Sequence, residues 1–467
     1  MTNKNNNEKI FSYPEEIKER FIETPGLDFK DGTHVSSTDI WNFMTKEAPR
    51  RFPHAFSLGR FHNSQLSKDV EFFSGIKRGY LSLTLRDRLL KAHSQGTPII
   101  HVQGGQTVDP YFAAGGIPIV PGPLRGWARD MEEGLSLREA GARVNKILEG
   151  GRQAVSIEAC NNPIGAIEAI HQELVPVDLI APYMCLRCSD IAYAIESYRT
   201  HKHKVPVYLI DYPITQDKDW TVKYLAARIH GLIKKIGEIK GSEATDEELK
   251  TEIKLENKGR RLARETVELA WSASTPPINS AETSSTITLG RFDRGDSLAA
   301  TQVLEGAKRE VKDRIKHSVK AKGLEDDPVR VFSVGSCFGL RGEFVEEKGG
   351  LLVGTDDHLN KIYADVEETG DSYEKLAQSV LSYSYEQSTE KRAEWIVGLV
   401  KKSRADGVIC GYNWGCSYQS AVSRMIADIV KEETGVRTIN LEVAELGRLE
   451  SVEQTQNRIE SFIEILK

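Results

Sequence analysis

VDLIAPYMCLRCSDIAY, residues 177–193, is the stretch of sequence that decides the fold of this chain. It begins as a short apolar run, passes through Cys185 and Cys188, and leads into a helix predicted over 189–200. A continuous apolar run, rather than strict alternation, is typical of a strand in a parallel sheet that is covered on both faces. The stretch therefore predicts a buried strand, a loop that carries two cysteines, and a helix.

The same texture recurs along most of the chain. Further apolar runs that predict strands lie at 97–102, 117–120, 205–212, 329–335, 350–357, 406–412 and 438–443. Helices are predicted in the intervals, for example over 162–173, 391–404 and 417–434. Strands that alternate with helices indicate an α/β fold. We predict two doubly wound, flavodoxin- or Rossmann-like parallel-sheet domains, with ligands bound at the carboxyl ends of the strands.

The predicted domain boundaries follow these textures. We expect a mostly helical N-terminal extension over 1–92, a first α/β domain over 93–216, a helical segment and linker over 217–327, and a second α/β domain over 328–467. Within the third part, residues 219–275 predict a helical hairpin, and Thr245 and Glu248 have the spacing of a capping box. The Pro- and Ser-rich stretch 274–285 predicts a loop.

Composition excludes several classes of protein. The chain has 467 residues, which is too long for one ordinary core and indicates two or three domains. Its net charge of −6 provides no basic footprint for nucleic acid. No run approaches 18 apolar residues, and the first residues lack a secretory signal, so we expect a cytoplasmic protein without a membrane span.

The six cysteines share one position in the predicted topology. Each falls at or just beyond the carboxyl end of a predicted strand; they are Cys160, Cys185, Cys188, Cys337, Cys410 and Cys416. Buried apolar cysteines would scatter over helix faces instead. Nearby helix N-termini and glycine-rich turns offer backbone N–H groups, which stabilise thiolates and hydrogen-bond to cluster sulfides. The placement indicates ligands, with a cytosolic disulfide disfavoured.

Zinc and dithiol exchange are the rival readings of Cys185 and Cys188. A structural zinc site usually has two close pairs of Cys or His ligands, whereas this chain has one Cys-x-x-Cys pair. A thioredoxin-like motif lies at the start of a helix in a small βαβ domain. Taken as a set, the cysteines favour iron–sulfur ligation.

Several segments resemble one enzyme family in order and spacing. They are VDPYFAAGGIPIV (108–120), LVPVDLIAPYMCLRCSDIAY (174–193), ADGVICGYNWGCSYQ (405–419) and QTQNRIESFIEIL (454–466). The chain resembles catalytic subunits of the 2-hydroxyacyl-CoA dehydratase and ATP-dependent (class I) benzoyl-CoA reductase family. SIEACNNPIGAIEAI (156–170) and LRCSDIAY (186–193) are most similar to the B-type reductase subunit.

This resemblance implies a cofactor and partners. It implies that Cys160, Cys188 and Cys416 hold a low-potential [4Fe-4S] cluster. Some relatives hold a double-cubane [8Fe-9S] cluster with six cysteines, a number that this chain also has. The implied partners are a related second catalytic subunit, an ATPase iron–sulfur activator and reduced ferredoxin as the donor. The implied substrate is an acyl-CoA, and the leading function is dearomatising reduction of a benzoyl-CoA-type thioester by an oxidoreductase.

The proton donors are expected beside the cysteines. His101 and Asp109 are predicted at a strand end and loop of the first domain, and Glu158 precedes Cys160 by two residues. Each is a candidate for proton transfer, although a structural role is the commoner one for such residues. The chain has no GxxxxGK[ST] loop, so we expect ATP hydrolysis on the partner.

Other functions fit the same residues. A radical (R)-2-hydroxyacyl-CoA dehydratase uses the same cluster and activator but recycles its electron. A double-cubane protein that reduces small molecules, an electron-relay subunit without substrate, and a zinc protein are the remaining alternatives.

Overall fold

A computed structural model provides the structure of the chain. It describes residues 10–57, 66, 69–103, 107–130, 132–155, 160–184, 188–200, 204–213, 218–291, 294–335, 340, 342–413, 416–443 and 452–467. Within these residues, no helix combines the length and apolar character that crossing a membrane requires.

Two four-stranded parallel sheets form the framework, preceded by a small hairpin. The antiparallel hairpin consists of β1 (Leu27–Asp28) and β2 (His34–Val35). The first sheet has the order β4-β3-β5-β6. Its strands are β3 (Ile99–Gln103), β4 (Ile117–Ile119), β5 (Leu179–Met184) and β6 (Ile210–Asp211).

The second sheet has the order β10-β9-β7-β8. Its strands are β7 (Val329–Val334), β8 (Gly350–Thr355), β9 (Gly407–Asn413) and β10 (Arg437–Val443). Each of the eight predicted runs contains a strand, and all neighbouring pairs in the two sheets are parallel. The predicted α/β fold with two parallel sheets is confirmed.

Helices surround and connect the strands. In chain order they are α1 (Lys18–Ile22), α2 (Ser37–Asn42), α3 (Ala48–Arg51), α4 (Pro53–Phe56), α5 (Phe73–Leu83), α6 (Leu85–Ser94), α7 (Asp109–Ala113), α8 (Pro121–Gly126), α9 (Leu137–Ala154), α10 (Asn161–His171), α11 (Ser189–Thr200), α12 (Asp219–Lys240), α13 (Asp246–Ser272), α14 (Ser280–Leu289), α15 (Ser297–Lys316), α16 (Gly342–Glu346), α17 (Asp356–Ile362), α18 (Ser372–Leu381), α19 (Thr389–Ser403), α20 (Ser417–Thr434) and α21 (Val452–Leu466).

The first sheet is buried on both faces. Ile100 and Ala181 point into a core shared with α12 and α18, whereas their neighbours Ile99 and Ile180 point into a core shared with α10 and α11. Successive side chains of a strand alternate between faces, so both alternating sets must be apolar here. This double coverage explains why the strands read as continuous apolar runs.

The second sheet is covered in the same way. Val408 and Cys410 of β9 face a core that also contains helix α20, while Ile409 faces a core with α21. The first of these cores continues into the N-terminal helices, through Phe21 and Trp41. The N-terminal residues are therefore packed into the body of the molecule.

One predicted loop is wrong in its second half. Residues 274–285 were expected to be irregular, but α14 begins at Ser280. The Asn279 side chain accepts a hydrogen bond from the backbone N–H of Glu282, and the Glu282 carboxylate accepts one from the backbone N–H of Asn279. This capping box satisfies N–H groups that the helix leaves free, and it outweighs the nearby prolines, which end before the helix starts.

The two helices predicted over 219–275 are confirmed as α12 and α13, but they do not form the predicted hairpin, because α12 packs mainly against α18 and α13 against α15. The predicted capping box is also present: Thr245 Oγ1 accepts from the Glu248 backbone N–H at 3.2 Å, and Glu248 accepts from the Thr245 N–H at 2.7 Å. The boundaries 1–92, 93–216, 217–327 and 328–467 stay predictions.

Candidate functional site

Cys160 and Cys188 lie at the N-termini of two neighbouring helices. Cys160 is the N-cap residue of α10, and Cys188 directly precedes α11, beyond the carboxyl end of β5. Asp190, in the first turn of α11, accepts a hydrogen bond from the backbone N–H of Cys160 at 2.7 Å. Both cysteines are half-buried. The carboxylate thus ties the start of α10 to the start of α11.

The electrostatics of this pair of helix ends favour thiolates. Unpaired backbone N–H groups give a helix N-terminus a partial positive charge, which stabilises a nearby anion and lowers a thiol pKa. Burial raises the pKa of Asp190, and the hydrogen bond from the Cys160 N–H opposes that shift. Burial therefore favours the neutral form of the Asp190 carboxyl, whereas the hydrogen bond from Cys160 favours its charged form.

Cys416 has the equivalent position in the second sheet. It is the N-cap residue of α20, three residues beyond the end of β9, and it is half-buried. Its backbone N–H donates to the carbonyl of Asn413 at 3.0 Å, which closes the turn between strand and helix. Like Cys188, Cys416 follows the general rule that functional groups of open α/β sheets lie at the carboxyl ends of strands.

Cys410 does not share this position. It was expected at a strand end, but β9 continues to Asn413 and leaves Cys410 inside the strand, fully buried. Its side chain joins the apolar core beneath α20. Burial raises the pKa of the Cys410 thiol well above its usual range, so the thiol stays protonated.

A buried ion pair supports the loops of the second sheet. Arg392 donates from Nε and Nη2 to Oδ2 of Asp356, at 2.9 and 2.6 Å, and both side chains are fully buried. Oδ1 of Asp356 accepts from the backbone N–H of Gly335 at 2.9 Å, directly after β7. Burial opposes the charge of Arg392, but Asp356 outweighs it and raises the pKa of the guanidinium.

Gly335 allows this turn to form. Its φ is 130°, a conformation that side chains rarely adopt, and a Cβ there would collide with the carbonyl oxygen of Gly411. The Arg392 guanidinium also stacks over the Tyr385 ring, with its carbon 4.4 Å from the ring centre. The Tyr385 hydroxyl in turn donates to Gln419 of α20 at 3.5 Å. The network therefore links Gly335, directly after β7, to α20, the helix that begins after Cys416.

His101 lies in the middle of β3 rather than at its end, which corrects the predicted position. It is fully buried, and its ring lies edge-on to Tyr198 at 6.0 Å. Burial lowers the pKa of His101 to about 4. The Gln103 side chain and the backbone of Ile119 lie close enough to the ring to oppose this shift, but burial outweighs them. His101 is neutral at pH 7, and its role in proton transfer stays a prediction.

Asp109 is the first residue of α7, where it forms a buried two-pronged ion pair. Arg260 of α13 donates to both carboxylate oxygens, at 3.0 and 2.9 Å, and the Thr107 hydroxyl donates to Oδ2. Burial opposes the charge of Arg260, but Asp109 outweighs it and raises the Arg260 pKa. Asp109 thereby joins α7 to α13. A proton-transfer role for Asp109 stays a prediction.

Three predicted site residues, Glu158, Cys185 and Cys337, lie outside the described residues. Among the residues that are described, no three His, Cys, Asp or Glu side chains are arranged to hold a metal ion. The described part therefore brings Cys160 and Cys188 to adjacent helix ends and places Cys416 at the corresponding edge of the second sheet.

Two residues of this region were missed in the sequence. Asp190 stands in the quoted stretch, but only the structure reveals its bond to Cys160. His358 follows β8 on α17, half-exposed, where burial lowers its pKa and the adjacent Asp357 opposes the shift. His358 follows β8 and Cys416 follows β9, so both lie beyond the carboxyl ends of their strands. Strand β7 lies between β8 and β9, which are therefore about 10 Å apart. The TDDH sequence directly after an apolar run was the available signal.

Comparison with known proteins points to dehydratases. Residues 111–466 match the family model described as 2-hydroxyglutaryl-CoA dehydratase, D-component. A protein of Escherichia coli (strain K12) assigned as the dehydratase subunit YjiM is 25% identical over 269 residues, which cover 56% of this chain and 68% of that protein. Both matches concern dehydratases rather than reductases of aromatic thioesters.

Proposed function

The chain belongs to the 2-hydroxyglutaryl-CoA dehydratase D-component family, and from this membership we propose that it is an iron–sulfur subunit of a radical (R)-2-hydroxyacyl-CoA dehydratase. The family takes its name from one component of a multi-subunit enzyme. We propose as its partners a related second subunit and an ATPase iron–sulfur activator supplied by reduced ferredoxin. The reaction is then elimination of water from an acyl-CoA, which is a lyase activity.

The observation that carries the proposal is the pairing of Cys160 and Cys188. Their helices begin side by side, and the 2.7 Å bond from the Cys160 N–H to Asp190 couples the starts of α10 and α11. Two half-buried thiols at two positive helix ends suit an electron-rich thiolate-bound cluster. When bound, such a cluster supplies single electrons at low potential and can leave one iron open to a further ligand.

Cys416 is our candidate for a third ligand because it has the same setting on the second sheet. Cys410 is a poor candidate, since its thiol is buried in the apolar core and stays protonated. The residues thus suit a single [4Fe-4S] cluster better than a double-cubane [8Fe-9S] cluster that requires all six cysteines. Cys185 and Cys337 remain candidate ligands from the sequence.

The chain's own residues have supporting tasks in this proposal. Asp190 holds the start of α10 against α11, and the Asp356–Arg392 pair holds Gly335, which stands two residues before Cys337 in the sequence. His358 is our candidate to move a proton beside the substrate, because its half-exposed ring lies at the edge of the sheet that carries Cys416. His101, Asp109 and Glu158 remain alternative proton carriers.

A benzoyl-CoA-type reductase subunit is the second candidate function. The segments 156–170 and 186–193, which surround Cys160 and Cys188, are the sequence observation that favours it. The two functions use the same kind of cluster but differ in the number of electrons that each turnover consumes. A dehydratase returns its electron after each turnover, whereas a reductase consumes electrons in proportion to product.

Electron stoichiometry therefore tests the proposed function. The chain would be co-produced anaerobically with its partner subunit and activator and supplied with 2-hydroxyglutaryl-CoA, other 2-hydroxyacyl-CoA thioesters, or benzoyl-CoA. We expect enoyl-CoA from a 2-hydroxyacyl-CoA, with far less than one electron consumed per product. Consumption of two electrons per product with benzoyl-CoA would instead establish the reductase.

Paired cysteine variants test the ligand assignment independently of turnover. We expect Cys160→Ala to lose most of the iron of the purified chain, while Cys410→Ala keeps it. Cys410→Ala is the matched control, because both variants remove one thiol but only Cys160 lies at a helix end. Equal iron loss in both variants would contradict the assignment.

A further inference from the structure

A cavity of about 400 Å³ lies far from the cysteines, between the β1–β2 hairpin, α6 and the amino ends of β3 and β4. Its walls include Phe29, Tyr80, Arg88, Lys91, Phe112 and Asp296. A cavity of this size lies in the range of small-molecule sites, which are mostly apolar with a few placed polar groups. It is therefore large enough for a ligand, and its chemistry can be read from its walls.

The cavity is separate from the proposed cluster site. Thr97 and Ile117, which line it, stand just before or at the first residues of β3 and β4, whereas Cys188 follows the carboxyl end of the neighbouring β5. β3 alone has five residues, which span about 16 Å. Most of the lining also precedes residue 111, where the family match begins. The inference thus goes beyond the proposed function.

Arg88 provides a positive charge in the wall of this cavity. Its Nε donates to Thr84 Oγ1 at 3.2 Å, and Nη2 donates to the carbonyls of Leu81 and Arg294 at 2.8 and 2.7 Å. These partners fix the guanidinium, but all of them are neutral. Within the described residues Arg88 forms no ion pair with a carboxylate, and burial lowers its pKa to about 10. Asp296 and Asp31, which also line the cavity, act on its charge only from beyond ion-pair distance.

The nearest carboxylates are already engaged. Asp296 caps α15 by accepting from the Ala299 N–H, and its other oxygen accepts from the Lys30 N–H, both at 2.9 Å. Asp31 accepts from the Thr33 N–H at 2.8 Å and lies 3.8 Å from Lys91. Lys91, more than half exposed, adds a second cation at the rim. An anion that enters the cavity would therefore meet Arg88 without displacing an existing ion pair.

The remaining walls are apolar and aromatic. Phe29 and Phe112 lie beneath the cationic groups of Arg88 and Lys30, at 5.3 Å in each case, and Val35 and Ile117 add aliphatic surface. An inorganic anion would leave this surface against water, whereas an organic acid covers it. Within the described part of the chain, Nη1 of Arg88 donates none of the bonds given above, which leaves it to donate to a carboxylate oxygen.

We propose that this cavity is a binding site for a small organic acid, with its carboxylate on Arg88 and its apolar body against Phe29 and Phe112. The β1–β2 hairpin, α6 and the segment between α7 and β4 all contribute walls. A bound acid therefore connects three parts of the chain that are distant in sequence. Binding stabilises the hairpin against opening, because ligands that bind only the closed state favour it.

Calorimetric titration of the full chain tests the site with four probes: benzoate, hexanoate, phenyl phosphate and inorganic phosphate. We expect saturable binding of benzoate or hexanoate with a Kd below about 1 mM, weaker binding of phenyl phosphate, and none of inorganic phosphate. Hydrogen exchange of residues 29–35 is expected to slow when the acid is bound. Phenyl phosphate binding more tightly than both acids would overturn the carboxylate assignment.

Two variants locate the binding. Arg88→Lys keeps the charge but loses the bonds from Nε and Nη2 that fix the guanidinium, so we expect Kd to rise at least about tenfold. Ala92→Phe fills the cavity from α6 and leaves Arg88 in place, so we expect it to abolish binding while the chain stays folded. Arg86→Lys is the matched control, because Arg86 lies on the same helix and donates to the Leu174 carbonyl at 3.1 Å, away from the cavity.

The outcomes separate clearly. Binding that is lost in Arg88→Lys and Ala92→Phe but retained in Arg86→Lys supports the site. Absence of saturation by either acid up to about 10 mM in the wild-type chain overturns it. Unchanged binding in Ala92→Phe, judged with circular dichroism as the test of folding, also overturns it.

Discussion

At the scale of single residues, two buried ion pairs hold elements together. Asp109–Arg260 joins α7 to α13, and Asp356–Arg392 joins the turn after β7 to α19. A buried pair is not in itself a large source of stability, because both groups lose their hydration. Losing one partner is costly, however, since the other charge is then buried alone.

Arg392→Met tests this asymmetry. The variant leaves the Asp356 carboxylate buried without its partner, so we expect a loss of about 3–5 kcal/mol in the free energy of unfolding. Chemical denaturation followed by circular dichroism measures it. Arg424→Met is the control, because the Arg424–Asp428 pair is exposed and should contribute less than about 0.5 kcal/mol. Equal effects of the two variants would show that the buried pair is not an anchor.

His101 predicts a pH dependence of stability. Its folded pKa of about 4 lies below the value of about 6.5 for an unfolded chain. Between these values the unfolded state binds a proton that the folded state does not, so stability is full above pH 6.5 and falls as the pH decreases towards 4. From pH 7 to pH 5 the contribution of this group is about 2 kcal/mol.

His101→Phe removes that contribution. We expect its free energy of unfolding to decline about 2 kcal/mol less than that of the wild type between pH 7 and pH 5, as measured by denaturation at each pH. A His101→Phe slope equal to that of the wild type would mean that His101 is protonated in the folded chain.

At the scale of elements, the sequence predicts strands better than helix starts. The eight strands were predictable because a parallel sheet buried on both faces requires apolar residues on both sides, as with Ile99 and Ile100. The start of α14 was missed because Pro276 and Pro277 suggest a loop, while Asn279 and Glu282 form a cap that is recognisable only by its spacing. The same residue types occur in turns and in helix caps, so composition alone does not distinguish a loop from the start of a helix.

The cap of α14 should be worth more than that of α13. Asn279 is buried, whereas Thr245 is exposed. Removal of the Asn279 side chain therefore leaves backbone N–H groups of α14 without access to water. We expect Asn279→Ala to cost about 2 kcal/mol and Thr245→Ala about 1 kcal/mol or less, as measured by chemical denaturation. Asn279→Asp, which keeps an acceptor oxygen, is the conservative control. A larger loss in Thr245→Ala would contradict this ranking.

At the scale of the whole molecule, two sheets carry half-buried cysteines at their carboxyl edges. This arrangement followed from the strand order that the sequence predicts, and Cys160, Cys188 and Cys416 occupy the expected helix ends. Cys410 was misplaced because a strand that continues three residues further turns a strand end into a core position. The joining of α10 to α11 by Asp190 was not predictable, because it depends on tertiary packing between these helices.

The N-terminal part of the chain gives the molecule features beyond its family match. Its helices share a core with the second sheet, and its hairpin forms a wall of the cavity that contains Arg88. No sequence pattern states which domain such a segment packs against, since an amphipathic helix reads the same on any apolar surface. The organic-acid site therefore emerges only from the assembled fold.

The most direct test of the central claim is the iron and acid-labile sulfide content of the anaerobically purified wild-type chain. The proposed single cluster, held mainly by Cys160, Cys188 and Cys416, predicts about four iron and four sulfide per polypeptide. Zinc in place of iron, with little sulfide, would contradict the claim.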